Sequence, residues 1–94
     1  MVNNSFQDSL SKICHGTEEV TFTTTEKSID IDYSKAHFTK IPTLLISVER
    51  FGYPAVTFAK ADYNNTTLEK ARIIYVTTNA GTPNIGRIHW IAIE

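Results

Sequence analysis

The sequence predicts an all-β domain, a six-stranded antiparallel β-sandwich. Three observations carry this. From Gly16 onward, apolar and polar residues alternate with period two. About six such segments follow one another, separated by short polar turns. No helical period of 3.6 residues is sustained after Gly16, and the spacing of the segments suits a sandwich or barrel better than βαβ units.

Residues 1–15 are the one stretch with a helical pattern. Phe6, Leu10 and Ile13 fall at helical spacing, Asn4 or Ser5 is a possible cap, and Gly16 is a natural stop. An isolated helix this short is marginal in water. It is therefore expected to dock on the domain, or to act as an arm toward a neighbouring subunit. The division expected is an arm or short helix over 1–15 and the sandwich over 16–94.

Val20 and Phe22 alternate with Thr21 and Thr23 in the first strand, and Ile29 and Ile31 alternate with Ser28, Asp30 and Asp32 in the second. The polar residues 24–27 between them are short enough for a hairpin connection. The third strand covers 43–48. Pro42 has no N–H and belongs at its start or on a sheet edge. Residues 51–54 read as a loop and 56–61 as the fourth strand. Asn64, Asn65, Thr66 and Thr67 make a turn by composition. The fifth strand centres on 73–76, a loop covers 79–84, and the sixth strand runs over 86–93. In that last strand Ile88, Trp90 and Ala92 face one way, while Arg87, His89, Ile91 and Ile93 face the other. Aliphatic residues on both sides predict cover on both sides, from a second sheet or from another subunit.

The composition narrows the function. Ninety-four residues hold one domain. The hydrophobic fraction of 41% and the charged fraction of 20% are those of an ordinary globular chain and argue against disorder. A chain of this size buries only about two-thirds of its unfolded surface, so self-association would strengthen it. The net charge of −1 leaves no basic footprint for nucleic acid or an anionic membrane. The single cysteine, Cys14, rules out an intrachain disulfide and reads as an inert small residue. No apolar run approaches the ~18 residues of a membrane helix. Residues 1–14 are polar and acidic where a signal peptide needs an apolar stretch, which predicts a protein made and kept in a cytoplasm unless it leaves as part of an assembly or by lysis.

The residues point away from catalysis. His15, His37 and His89 lie far apart and in no metal-ligand spacing, so neither metal nor cofactor is expected. Asp30 and Asp32 share a strand face, but a solvated polar face explains them without chemistry. No phosphate loop or nucleophile elbow is present in the sequence. Aromatic residues near predicted loops and strand ends, Tyr33, Phe51, Tyr53, Tyr63 and Tyr75, are better candidates for binding. An aromatic face stacks on a sugar ring while neighbouring Asn, Asp and Arg bond its hydroxyls. The competing reading puts Phe22, Phe51 and Phe58 in the core and the tyrosines at subunit contacts. The ligand-binding candidates are Arg50, Tyr53, Tyr63 and Asn79. Arg87, His89, Ile91 and Ile93 are the candidates for an oligomer interface.

Five segments in a fixed order carry a resemblance: IDIDYSKAHF over 29–38, IPTLLI over 41–46, ADYNNTT over 61–67, RIIYVTTN over 72–79 and IHWIAI over 88–93. Together they resemble the β-sandwich module at the C-terminal end of phage and prophage tail-fibre proteins, itself similar to the H-type lectin domain. The resemblance implies six antiparallel strands, a homotrimer or a multiple of three, and a virion module that binds host-surface carbohydrate, located in the virion or, before assembly, in the host cytoplasm. It also leaves open a structural assembly protein, or a small free phage protein that captures a host protein or a metabolite. The sugar site of the lectin branch does not carry over. Thr78 and Asn79 stand where that branch has a Trp-His pair, Ala55 stands at its sugar-contacting arginine, and its cysteine bridge is missing.

Overall fold

A computed structural model describes residues 12–51, 56–81 and 84–94. Six strands occur among them: β1 (Ile13–Thr21), β2 (Lys27–Asp32), β3 (Thr43–Arg50), β4 (Thr57–Ala61), β5 (Lys70–Thr77) and β6 (Ile85–Ile93). Two short 3₁₀ turns, Ser34–Ala36 and Tyr63–Asn65, follow β2 and β4. No α-helix occurs among the described residues.

All pairing is antiparallel. The first sheet has the order β1-β6-β3 and the second the order β2-β5-β4, so β6 and β5 are the two central strands. The layers share one core. The first sheet contributes Val20, Ile88, Trp90 and Ala92, and the second contributes Ile31, Ala71, Ile73 and Tyr75, with Phe22, Tyr33 and Phe38 between them. Aromatic edges knit this core together. Phe22 meets Tyr75 at 5.7 Å between ring centroids, and Tyr33 meets Phe38 at 5.4 Å and Trp90 at 6.3 Å. The period-two pattern thus yields the sandwich-like all-β arrangement it predicts. Pro42 stands immediately before the edge strand β3, where its missing N–H costs no ladder bond.

Two expectations are corrected. Ile13, Cys14 and His15 do not close a helix. They pair with Ile93, Ala92 and Ile91 at the start of β1, while residues 1–11 lie outside the described part. At Ile13, helical spacing does not outweigh a neighbouring strand with nine residues of register. Gly16, expected as a helix stop, sits inside β1 opposite Trp90. A Cβ there would lie 2.7 Å from the indole ring, so glycine makes room for the tryptophan. The second correction concerns residues 24–27, which do not close a hairpin. The Phe22 N–H donates to the Asn84 carbonyl at 2.8 Å, beside β6. The Thr23 carbonyl accepts from the Thr77 N–H at 3.0 Å, on β5. The chain crosses between layers there, so β1 and β2 belong to different sheets.

Tyr33 ties the turns to the core. Its buried hydroxyl shares its proton between the Thr67 carbonyl at 2.6 Å and the Lys70 carbonyl at 2.9 Å, and its N–H donates to the Glu69 carbonyl at 2.9 Å. Burial pushes the phenol above its ordinary pKa, because the charged form would lose water.

Candidate functional site

The outward side of the first sheet is a field of rows set by register. Ile13, Ile93 and Thr43 form one row, and His15, Ile91 and Leu45 the next. Thr17, His89 and Ser47 follow, and then Glu19, Arg87 and Glu49. Aliphatic side chains gather at one end, the charged row lies toward the other, and Ile85, opposite Thr21, stands beyond it. Ile13 is 48% exposed, Leu45 52% and Ile91 40%, and no layer covers them among the described residues.

His89 joins the three strands. Its Nδ1 lies 3.0 Å from Thr17 Oγ1 on β1, and its Nε2 lies 3.0 Å from Glu49 Oε1 on β3. Arg87 donates from Nη1 to the same Glu49 oxygen at 3.3 Å, and its guanidinium lies 4.8 Å from the Phe51 ring centroid. The His89 hydrogen bond, with help from Arg87, holds the Glu49 carboxyl below its ordinary pKa, and the carboxylate therefore accepts only. All four residues expected at an oligomer interface, Arg87, His89, Ile91 and Ile93, lie on this side of β6. Glu49, Thr17, Leu45 and Ile13 join them from the flanking strands. Sequence reading misses these partners, because alternation along one strand does not reveal which residues stand opposite.

The residues expected to bind a ligand do not form one group. Arg50 and Asn79 meet at the end of the sandwich where β3, β4 and β5 converge. Arg50 Nη1 donates to Thr77 Oγ1 at 3.0 Å and to Thr57 Oγ1 at 3.3 Å, while Nη2 donates to the Ala80 carbonyl and to the Asn79 carbonyl at 3.4 Å. The guanidinium also stands 5.5 Å from the Phe22 ring centroid. These bonds clasp the two sheets together. Tyr63 lies beyond the other end of β4, in the second 3₁₀ turn, and is 87% exposed. β4 spans five residues, about 17 Å of extended chain, between the two places. Tyr53 lies outside the described residues. Tyr33 and Tyr75 are buried in the core, whereas Phe58, expected there, is 56% exposed on the outward side of the second sheet.

An open cleft of about 470 Å³ lies between the first 3₁₀ turn and the turn before β5, lined by Ser34, His37, Phe38, Thr67, Leu68 and Glu69. His37 adopts φ 54°, a left-handed conformation uncommon for residues other than glycine, and its carbonyl accepts from Lys12 Nζ at 2.9 Å. Phe38 turns its ring into the core and leaves little face for stacking in the cleft. Asp30 and Asp32 are exposed, as a solvated strand face requires. Asp30 accepts from Arg72 Nε at 3.0 Å, a bond that holds its carboxyl below its ordinary pKa, and Asp32 is held below its own by the Ser34 hydroxyl first and then by the Ser34 N–H, which donates at 2.8 Å. Among the described residues, no group of three His, Cys, Asp or Glu side chains is placed to hold a metal ion, and no helix is long and apolar enough to cross a membrane.

No protein-family model matches the chain, and no curated protein matches it.

Proposed function

We propose that this chain is a non-enzymatic, self-assembling module of the H-type lectin-like kind, a homotrimer or a multiple of three, working in a phage or prophage virion as a tail-fibre type part. The observation that carries the assembly reading is the outward side of the first sheet, which no layer covers among the described residues. It has a cluster of Ile13, Leu45, Ile91 and Ile93 beside a polar field of His89, Arg87 and Glu49. An apolar patch bordered by hydrogen-bonding groups is the anatomy of a protein interface. Neighbouring copies of this chain suit it, because each copy brings both signs of charge. The threefold arrangement and the virion setting rest on the ordered segments that resemble tail-fibre modules.

Sedimentation at micromolar concentration tests the proposal. A stable 10.6 kDa species would refute it. Ile91→Asp is expected to yield a folded protomer that no longer associates.

A second reading, binding of host-surface carbohydrate, is favoured by Tyr63. Its ring is 87% exposed on a turn whose neighbours are Asn64 and Asn65, and Asp62 orders that turn by accepting from the Asn64 N–H at 3.2 Å and from Asn65 Nδ2 at 2.7 Å. A rigid aromatic face beside amide groups is a platform for a sugar ring. A glycan array tests this reading, with Tyr63→Ala expected to lose whatever binding the wild type shows.

A further inference from the structure

β1 is an edge strand. It pairs with β6 on one side and, among the described residues, with no strand on the other. Two bonds that prolong its ladder fix which backbone groups face the open edge. The Lys12 carbonyl accepts from the Glu94 N–H at 3.2 Å, and the Phe22 N–H donates to the Asn84 carbonyl at 2.8 Å. Both pairs continue the register of β1 with β6, so the even-numbered residues of β1 turn their N–H and C=O toward β6. Ile13, His15, Thr17, Glu19 and Thr21 turn theirs toward the open edge.

Sheet edges are ordinarily guarded by lysine, proline, a bulge or a short strand. β2 and β4 are short, six and five residues, and carry Lys27 and Lys60. β3 directly follows Pro42, and Arg50 at its end is tied to Thr57 of β4. β1 has nine residues in unbroken register and neither lysine nor proline. Its only charged groups besides His15 are Glu18 and Glu19.

β1 also matches itself. When a second copy is turned about a twofold axis at Thr17, the two edges run antiparallel over the whole strand. Thr17 stands opposite Thr17, His15 opposite Glu19, Ile13 opposite Thr21, Cys14 opposite Val20 and Gly16 opposite Glu18. The residues with open backbone groups face one another, as an antiparallel ladder requires. Threonine pairs, apolar pairs and a donor facing a carboxylate are favourable across strands, and like charges directly opposite are not. No glutamate faces a glutamate in this register. An axis at Glu18 sets Glu18 against itself, and an axis at Gly16 leaves Val20 and Thr21 beyond the end of the partner strand. β3 has no equivalent. An axis at Ser47 sets Leu45 opposite Glu49, and one at Ile46 sets Pro42, which has no N–H, opposite Arg50.

We infer that two copies of this chain join at the free edge of β1, antiparallel about Thr17, so that their first sheets become one continuous sheet. The contact is made by backbone groups of the edge and does not rest on association through the outward side. A twofold contact and a cyclic contact through another surface can coexist in one assembly.

Amide exchange read residue by residue at several protein concentrations, beside sedimentation of the same samples, tests this. The N–H groups of Cys14, Gly16 and Glu18 bond within the chain and are expected to be protected throughout. Those of His15, Thr17 and Glu19 are expected to slow roughly tenfold or more as copies associate. Thr17→Cys in a Cys14→Ser background is expected to oxidise to a covalent dimer, because facing Cα atoms of such a pair lie about 5.5 Å apart. Glu19→Cys in the same background is expected not to. Association by sedimentation while the edge amides exchange freely would overturn the inference and leave the outward-side reading standing. Edge amides equally protected in a monomeric sample would overturn it too, since the chain itself would then cover the edge. A Thr17→Cys protein that oxidises no faster than Glu19→Cys would overturn the pairing about Thr17. No association at any concentration would overturn both the inference and the assembly reading.

Discussion

Trp90 is 5% exposed and Ile91, the next residue along β6, is 40% exposed. The inward side of β6, with Ile88, Trp90 and Ala92, is packed against the second sheet and the aromatic residues between the layers. The outward side, with Arg87, His89, Ile91 and Ile93, meets only its own neighbours in β1 and β3 among the described strands. Both sides carry aliphatic residues, so composition alone does not tell them apart. The difference lies in what each side has to hold. Inward side chains are fixed by volume, to the point that Gly16 must lack a Cβ beneath the indole. Outward side chains are fixed by hydrogen bonds and ion pairs that lie open to water. Changes on the inward side should therefore appear as lost folding stability, and changes on the outward side should leave folding stability nearly intact and, on the proposed assembly reading, alter association instead.

The largest expected effect is on the inward side. Trp90→Ala removes the indole from between Gly16, Tyr33 and Glu18 and leaves a cavity that the sheet cannot close. The cost should be about 3–5 kcal/mol, a large share of the stability of a domain this small. Chemical denaturation measures it, and a loss below about 1 kcal/mol would show that the two sides of β6 are not divided in this way. Gly16→Ala tests the same packing from the opposite strand. Its new methyl meets the indole ring far inside contact distance, so about 1–3 kcal/mol should be lost through displaced packing. Combined with Trp90→Ala, that penalty should vanish, because the atom it collides with is gone.

Much of this division is legible in the sequence. Alternation alone separates Trp90 from Ile91 and assigns Arg87, His89, Ile91 and Ile93 to one side. It also locates strands from Val20 onward, because a half-buried strand must alternate. What fails depends on which strand lies next to which. Ile13 fits a helical spacing with Phe6 and Leu10 as well as it fits a strand, and only pairing with Ile93 decides between them. Residues 24–27 have the composition of a hairpin turn, yet β1 pairs with β6, more than sixty residues away in the chain. Arg50 suggests a ligand residue by its charge. The hydroxyls that engage it, on Thr57 and Thr77, come from two other strands. The partners of His89 on β1 and β3 stay hidden for the same reason.

Tyr33→Phe probes a part of the core where packing and hydrogen bonding coincide. The ring volume is kept, so the cavity penalty is absent. The carbonyls of Thr67 and Lys70 lose their shared donor in a partly buried setting, which should cost about 1–2 kcal/mol. The turn before β5 should then exchange its amide hydrogens faster than β5 itself. Equal rates in both would mean that the hydroxyl does not anchor that turn.

The smallest effect should come from the outward polar row. Thr17→Val keeps the size and the strand preference of the side chain and removes only the hydroxyl that meets His89 Nδ1 at 3.0 Å. That bond is exposed, so water replaces the lost partner and no buried group is left unsatisfied. The unfolding midpoint should move by no more than about 0.5 kcal/mol in equivalent stability. The valine side chain would also extend the apolar area of the face next to Ile91, which favours association. The variant should therefore be as stable as the wild type and associate at least as tightly. A loss of more than about 1.5 kcal/mol would mean that the bridge from Thr17 through His89 to Glu49 holds the three strands together, and the outward side would then share the stabilising role of the core.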